Sequence, residues 1–363
     1  MNMLEHIATL TFHEAYNYGA ILQAYALQEA IKSFGCEVEI LNYACPAIRQ
    51  AYGKPHGFKK RIGWILRARD YEKRKNKFDC FREKYLQLSE PLDRKTLQRA
   101  SARYDAVIVG SDQVWNPVIT GNDTAFFLDF LQDSSRKKTY AASLGTETWP
   151  THYEQELAQR ASQFSSILVR EKTAAAYLAR LISRPVETVC DPVFLLDRKQ
   201  WKKVAVYPRT DKPYVLVIPL GRPEDDCVKW VRNIADQRGW DVVVLHSSAF
   251  HVADSDNVKD AGPCEYLGYL AKAEMVVTNS FHASCFSLIF GRQFCWFKSG
   301  AAAKDLALRE SRLRDLLTEF DLDDHTASAS SRLPLDIDFE RAMRKVSFQR
   351  ERSLHILGEI LER

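Results

Sequence analysis

No Cys-x-x-Cys pair and no metal-ligand spacing occurs among the eight cysteines, at 36, 45, 80, 190, 227, 264, 285 and 295. A clustered metal or dithiol site is therefore not expected, and most of these thiols sit inside apolar runs, as reduced core cysteines of a cytosolic protein do. No apolar run reaches the length that spans a bilayer. The N-terminus opens on a strand-like segment and lacks a charged, apolar, cleavable leader, so the expected location is cytoplasmic. A large charge excess is missing too: a net +4 does not argue for a nucleic-acid partner. What is present is ordinary globular composition, 46% hydrophobic and 27% charged, over 363 residues, enough for two domains with full cores.

The chain alternates strand and helix patterns, the signature of an α/β protein. Residues 5–12 read as a strand. The loop His13-Glu14-Ala15-Tyr16-Asn17-Tyr18-Gly19 leads into a helix over about 20–34, and Glu37 to Tyr43 completes a βαβ unit. Asn17 is a candidate cap, and Gly19 allows close approach of backbone to a ligand. Within 54–84, twelve Lys or Arg residues face four acidic ones, a local net of +8. That run reads as a basic helical insertion, either a solvated face or a surface for anionic lipid or a diphosphate-linked acceptor.

Tyr104 to Val109 is a further strand, followed by Gly110-Ser111-Asp112-Gln113-Val114-Trp115-Asn116-Pro117, a polar and aromatic ligand lip at a strand end. Strands are also expected at 138–143 and 167–170. Arg170 and Lys172 at the second of these suit a phosphate or carboxylate, the alternative being an exposed Arg170–Glu171 ion pair. Asp191-Pro192 reads as a structural turn, and the Lys- and Arg-rich stretch 198–212 as the interdomain linker. A second α/β pattern comes next, with strands at 214–218, 241–246, 275–278 and 293–297 and helices over about 224–238, 264–272 and 281–290. Asp254-Ser255-Asp256 lies between them and reads as solvated turn residues. Residues 299–316 read as a loop entering a helix that can fold over an anion, and a long amphipathic helix runs from about Asp338.

The most informative stretch is Met275 to Gly291. A short buried strand ends at Thr278, and Asn279 or Ser280 is placed to cap an almost wholly apolar helix, which runs from Phe281 to Phe290 until Gly291 stops it. His282 thus falls in the first turn of a helix at the carboxyl end of a strand, where open α/β sheets bind ligands and helix amides favour an anion and the neutral imidazole.

Five segments, spread over nearly the whole chain, resemble the polysaccharide pyruvyl transferase family. They are Asn17 to Gln28, Val109 to Asn116, Tyr140 to Gly145, Val169 to Lys172, and Thr278 to His282. The resemblance implies two Rossmann-like domains facing across a cleft, GT-B-like, with the last helix crossing back to the first domain. On this chain the first domain would be 1–205, with the insertion at about 54–100, on the acceptor side. The second would be 206–335, on the donor side, followed by a helix over 336–363. It implies phosphoenolpyruvate as donor, a nucleotide- or lipid-linked sugar diol as acceptor in surface polysaccharide assembly, a cyclic ketal product and no cofactor or metal. Contact with the inner face of a membrane would run through 54–84.

Carried over by position, Arg170 is the donor-binding arginine and His282 the histidine of an Arg-Leu-His pattern. Here that pattern reads Ser280-Phe281-His282, so the arginine is missing, and Arg312 or another residue of the 309–314 loop is the nominated substitute. Lys172 and Ser280 complete the donor set. Asn17, Tyr18, Gly19, Gly110, Ser111, Asp112, Gln113, Trp115 and Asn116 form the acceptor or cleft-lining set. Two rivals stay open: a GT-B glycosyltransferase using a nucleotide sugar, and a non-catalytic sugar-binding or scaffold protein.

Overall fold

The computed structural model describes residues 3–52, 68–145, 149, 151–246, 250–297, 313–322, 326–327 and 337–362. They divide into two compact units, the first drawn from within 3–52, 82–196 and 347–362 and the second from within 68–81 and 197–346.

The first unit is built on parallel strands β1 (His6–Leu10), β2 (Glu37–Ile40), β3 (Ala106–Val109) and β4 (Lys137–Thr139), in the order β2-β1-β3-β4. The parallel bridges Lys138↔Ser166 and Ala142↔Val169 carry the layer on to β5 (Leu168–Val169), which pairs with β6 (Glu187–Thr188). All four residues of β3 are buried, the continuous apolar run expected of a parallel strand covered on both faces. One cover is the helix Tyr18–Ser33. Another is the last helix, Phe339–Leu361, which from Ser347 onward belongs to this unit. Its Ile356, Leu357, Ile360 and Leu361 share a core with Ile7, Leu27, Ile31, Val38 and Ile108. Leu4 N–H donates to Leu361 O at 2.8 Å, so the two ends of the chain close on each other.

The second unit is a six-stranded parallel sheet: β7 (Tyr214–Ile218), β8 (Asp241–Leu245), β9 (Asp256–Val258), β10 (Met275–Thr278), β11 (Gln293–Phe297) and β12 (Thr326–Ala327). Their order, β12-β11-β10-β7-β8-β9, is that of a Rossmann sheet, and it reverses between β7 and β10. The helix Phe281–Phe290 is buried at every position after the first, which suits a helix apolar on all sides. Phe286 meets Trp201 edge-on at 4.9 Å, and Ser284 and Ser287 return their hydroxyls to the carbonyls of Ser280 and Ala283.

Two stretches differ in character from their sequence pattern. Within 198–212 stands a helix, Arg198–Val204, opened by a reciprocal capping box between Asp197 and Gln200, and its Trp201 is fully buried. The described part of the basic run is one helix, Ala68–Tyr85. Lys73 pairs with Asp260 at 3.7 Å and Lys77 with Glu265 at 3.0 Å, while Arg74 lies buried over the Phe78 ring. Part of that charge is thus used inside the second unit. No helix among the described residues is long and apolar enough to cross a membrane.

Candidate functional site

In the second unit the reversal of strand order brings the loop after β7 beside the loop after β10. Their side chains determine how they are joined. Thr278 is fully buried, and its hydroxyl donates to Ile218 O at 2.7 Å while accepting from Ser280 N–H at 3.0 Å. Asn279 accepts from Leu220 N–H at 2.6 Å and returns its amide to Leu220 O at 3.4 Å. Ser280 caps the helix, its hydroxyl accepting from Ala283 N–H at 3.4 Å. His282 is the second helical residue, 9% exposed, with the Phe281 ring edge-on at 5.2 Å. The first turn holds no acidic residue, whereas the helix Asp225–Arg238 opens on two aspartates and Pro263–Lys272 carries Glu265 in its first turn. A helix start with no carboxylate in its first turn favours an anion over a cation.

In the first unit the residues after β1, β3 and β5 form a buried polar network. Ser111 is fully buried, with its N–H donating to Gln23 Oε1 at 3.1 Å and its carbonyl accepting from Thr11 Oγ1 at 3.0 Å. Gln23 in turn donates to Thr11 Oγ1 at 2.8 Å. Arg170 directs Nε to Glu171 at 3.0 Å and Nη1 to Asp191 at 2.7 Å, and Ser143 donates to Glu171 at 2.8 Å. Burial opposes the Arg170 charge, yet Glu171, Asp191 and Asp112 outweigh it and hold the guanidinium more firmly protonated than usual. The pair with Glu171 is therefore buried rather than the exposed alternative.

The other expected residues have varied settings. Asn17 caps the helix Tyr18–Ser33 by accepting from Ala20 N–H, with Tyr18 and Gly19 as its first residues. Gly110 approaches the backbone of Tyr140 so closely that an added Cβ would stand 2.3 Å from Tyr140 O. Asp112 accepts from Gln113 N–H, and Gln113 accepts from the Asn116 amide, which itself caps Pro117–Thr120. Trp115 is a core residue, 1% exposed, donating to Phe126 O and stacked on Phe127. Lys172 is exposed on the first turn of the helix Lys172–Ile182. Arg312 lies outside the described residues. Sequence pattern does not single out Thr11, Gln23 or Ser143 for these networks, and it marks Asn279 only as a candidate cap and Asp191 only as a turn. Asp191 does cap the turn Pro192–Phe194, and its second oxygen takes Arg170.

No group of three or more metal-capable side chains occurs among the described residues. All eight cysteines are free, with Cys36, Cys45, Cys285 and Cys295 buried.

Comparison with known proteins agrees with this architecture. A UDP-GlcNAc 2-epimerase from Methanocaldococcus jannaschii superposes with a TM-score of 0.51 at 11% identity, covering 95% of this chain and 92% of its own, a likeness of fold. One from Neisseria meningitidis, bound to UDP-GlcNAc, covers 98% of this chain and 99% of its own at 10% identity and a TM-score of 0.48. The fold is α/β with two Rossmann-like units, GT-B-like. No curated protein matches the sequence. The family model of the polysaccharide pyruvyl transferases matches residues 17–300, and the chain belongs to that family.

Proposed function

We propose that this protein moves the pyruvyl group of phosphoenolpyruvate onto a sugar diol as a cyclic ketal, releasing phosphate, in surface polysaccharide biosynthesis. The observation that carries this reading is His282, at the strand-order reversal of a chain belonging to this family. In the reaction a proton reaches the methylene carbon of the donor, and C2 becomes oxocarbenium-like. One sugar hydroxyl adds to C2 and loses its proton. The C2–O bond to phosphate breaks, and a second hydroxyl adds and loses its proton, closing the ketal. Of the two hydroxyl protons, one is balanced by the new methyl group and one leaves with phosphate.

His282 is the group assigned to give and take these protons. Arg170, Lys172 and Arg312 are the cations assigned to the donor. Arg170 is committed to Glu171 and Asp191, which supports a role in shaping the site. The acceptor is a nucleotide- or lipid-linked sugar. The test is phosphate release from phosphoenolpyruvate that depends on an acceptor sugar. Consumption of a nucleotide sugar with no response to phosphoenolpyruvate would favour a glycosyltransferase instead. Binding without turnover across an acceptor panel would favour a non-catalytic binding protein.

A further inference from the structure

We propose that an aromatic cleft beside Trp149, in the first unit, is a saccharide subsite that takes one neutral pyranose of the acceptor, apart from the sugar that receives the ketal. This rests on the pyruvyl-transfer reading and assigns a part of the acceptor which that reading leaves open. The cleft is lined by Trp115, Phe127, Trp149, Tyr153, Glu156 and Arg160 among others. Trp115, Phe127 and Trp149 are buried and make its base, while Tyr153, Glu156 and Arg160, all on the helix Thr151–Ala161, are half-buried and make its rim. Trp115 comes from the loop after β3 and Trp149 from the loop after β4. The two loops are tied together, because Trp115 N–H donates to Ser143 O at 3.3 Å. Ser143 also donates its hydroxyl to Glu171, the partner of Arg170, so the cleft shares its loops with the buried polar network.

What points to a ligand is the indole N–H of Trp149. The side chain is 8% exposed, and its Nε1 is buried with no hydrogen-bond partner among the described residues. A buried tryptophan normally spends this donor, and leaving it unspent costs stability that an entering oxygen would return. The rest of the lining says what carries that oxygen. Glu156 and Arg160 pair with each other one turn apart, and Arg160 also lies over the Phe127 ring, so the rim offers a phosphate no surplus positive charge. A flat nucleobase would need an open stack, but the parallel rings here, Trp115 and Phe127, already face each other at 5.3 Å. Trp149 and Tyr153 meet edge-on at 5.8 Å. Aromatic edges and faces with a few polar groups at the margin suit a pyranose, which has an apolar C–H face and a ring of hydroxyls. Because the base is nearly closed, the sugar lies across the mouth and reaches in with one hydroxyl. Val118, which follows the lining residue Pro117 on the short helix Pro117–Thr120, is 90% exposed and gives the mouth an apolar edge.

The experiment is titration of the full chain, its indoles labelled with nitrogen-15, with the methyl glycosides of glucose, galactose, mannose and N-acetylglucosamine, in the absence of phosphoenolpyruvate. Trp149→Phe identifies the Trp149 resonance by its loss. At least one pyranoside is expected to move that resonance saturably. Trp149→Phe, which keeps an aromatic ring and deletes the donor, should weaken the same sugar about 3- to 10-fold, read from the ligand's own resonances. Val118→Asp, a change at a nearly fully exposed position that leaves the fold intact, should weaken it as well. The inference fails if none of the four sugars moves the Trp149 resonance, or if both variants bind as tightly as the wild type. It fails too if uridine moves the resonance and the pyranosides do not, since the cleft would then take a nucleoside. Acceptor-dependent phosphate release without a pyranoside response at Trp149 would defeat the subsite and leave pyruvyl transfer standing. A pyranoside response in a protein that never releases phosphate from phosphoenolpyruvate would keep a sugar site and overturn the transfer reading.

Discussion

Arg170 and Asp191 meet at 2.7 Å with side chains 4% and 0% exposed, an ion pair sealed from solvent at the carboxyl end of the first unit's sheet. Replacing both members of such a pair with apolar groups is often tolerated. Removing one leaves a charge stranded.

Arg170→Ala is therefore expected to destabilise the fold by about 3–5 kcal/mol, since Asp191 and Glu171 are left without their cation. Arg170→Lys should lose most of this too, because an ammonium lacks the fork that reaches both carboxylates. Denaturant unfolding of the three proteins measures it. A midpoint unchanged in Arg170→Ala would show that the pair does not hold this region together.

His282→Ala is expected to lower kcat for phosphate release by about 10²–10⁴-fold, the usual contribution of a general acid–base group. The melting temperature is expected to move far less, and donor binding by calorimetry should persist. Undiminished turnover in a folded His282→Ala protein would remove the imidazole from the chemistry.

His13 lies just past β1, fully buried, with Nδ1 3.2 Å from Thr11 O and Nε2 3.2 Å from Asn42 Oδ1. Burial lowers its pKa, outweighing Asn42, Glu14 and Thr11, which act to raise it. Because the folded value lies below the ordinary 6.5, the unfolded chain takes up a proton first as pH falls. The stability that this imidazole contributes is thus present above pH 6.5 and is lost as pH falls towards its folded value, by at most about 1.4 kcal/mol per pH unit. Comparing unfolding at pH 7.5 and 5.5, His13→Gln should lose less than the wild type. Parallel losses in the two proteins would contradict the assignment.

How far the sequence reaches is clearest at Met275–Gly291. There a buried parallel strand reads as an apolar run, Ser280 supplies the cap and Gly291 the stop, and the observed helix has the expected limits. Where structure depends on partners distant in sequence, local pattern is silent. Asp256–Val258 is an edge strand of three residues, two of them polar, and nothing in its composition separates it from a solvated turn. Only its pairing with β8 makes it a strand. The Arg198–Val204 helix hides in a run of Lys and Arg, although its Asp197-x-x-Gln200 cap is visible. The Arg170–Glu171 adjacency is legible, but Asp191 joins them only when β5 and β6 pair in parallel. Asn279 offers no periodic signal at all, because its partner is a backbone amide on another strand end.

The basic helix makes the same point through charge. Lys77 and Glu265 stand at 3.0 Å with both side chains partly exposed, so the pair is worth on the order of 0.2–1 kcal/mol and weakens with salt. Lys77→Glu should cost about 1 kcal/mol, and adding Glu265→Lys should return part of it. A double-mutant cycle reads the coupling. Zero coupling at low salt would mean that the lysines of this helix are a solvated face after all.

Gly110 and Gly35 both hold a left-handed backbone, at φ 115° and 85°, so a side chain is strained at either. They differ in what surrounds them. A Cβ on Gly35 would meet nothing within 4 Å, whereas one on Gly110 would stand 2.3 Å from Tyr140 O and 3.2 Å from Ala142 N, both backbone atoms that cannot swing aside. Gly35→Ala should therefore cost about 1 kcal/mol from conformation alone. Gly110→Ala adds a steric term and must push β3 away from the Tyr140–Ala142 segment, which carries the bridge to β5 and hence Arg170. We expect Gly110→Ala to lose at least about 2 kcal/mol more than Gly35→Ala in denaturant unfolding. Equal costs for the two would mean that this close approach is not what requires a glycine at residue 110.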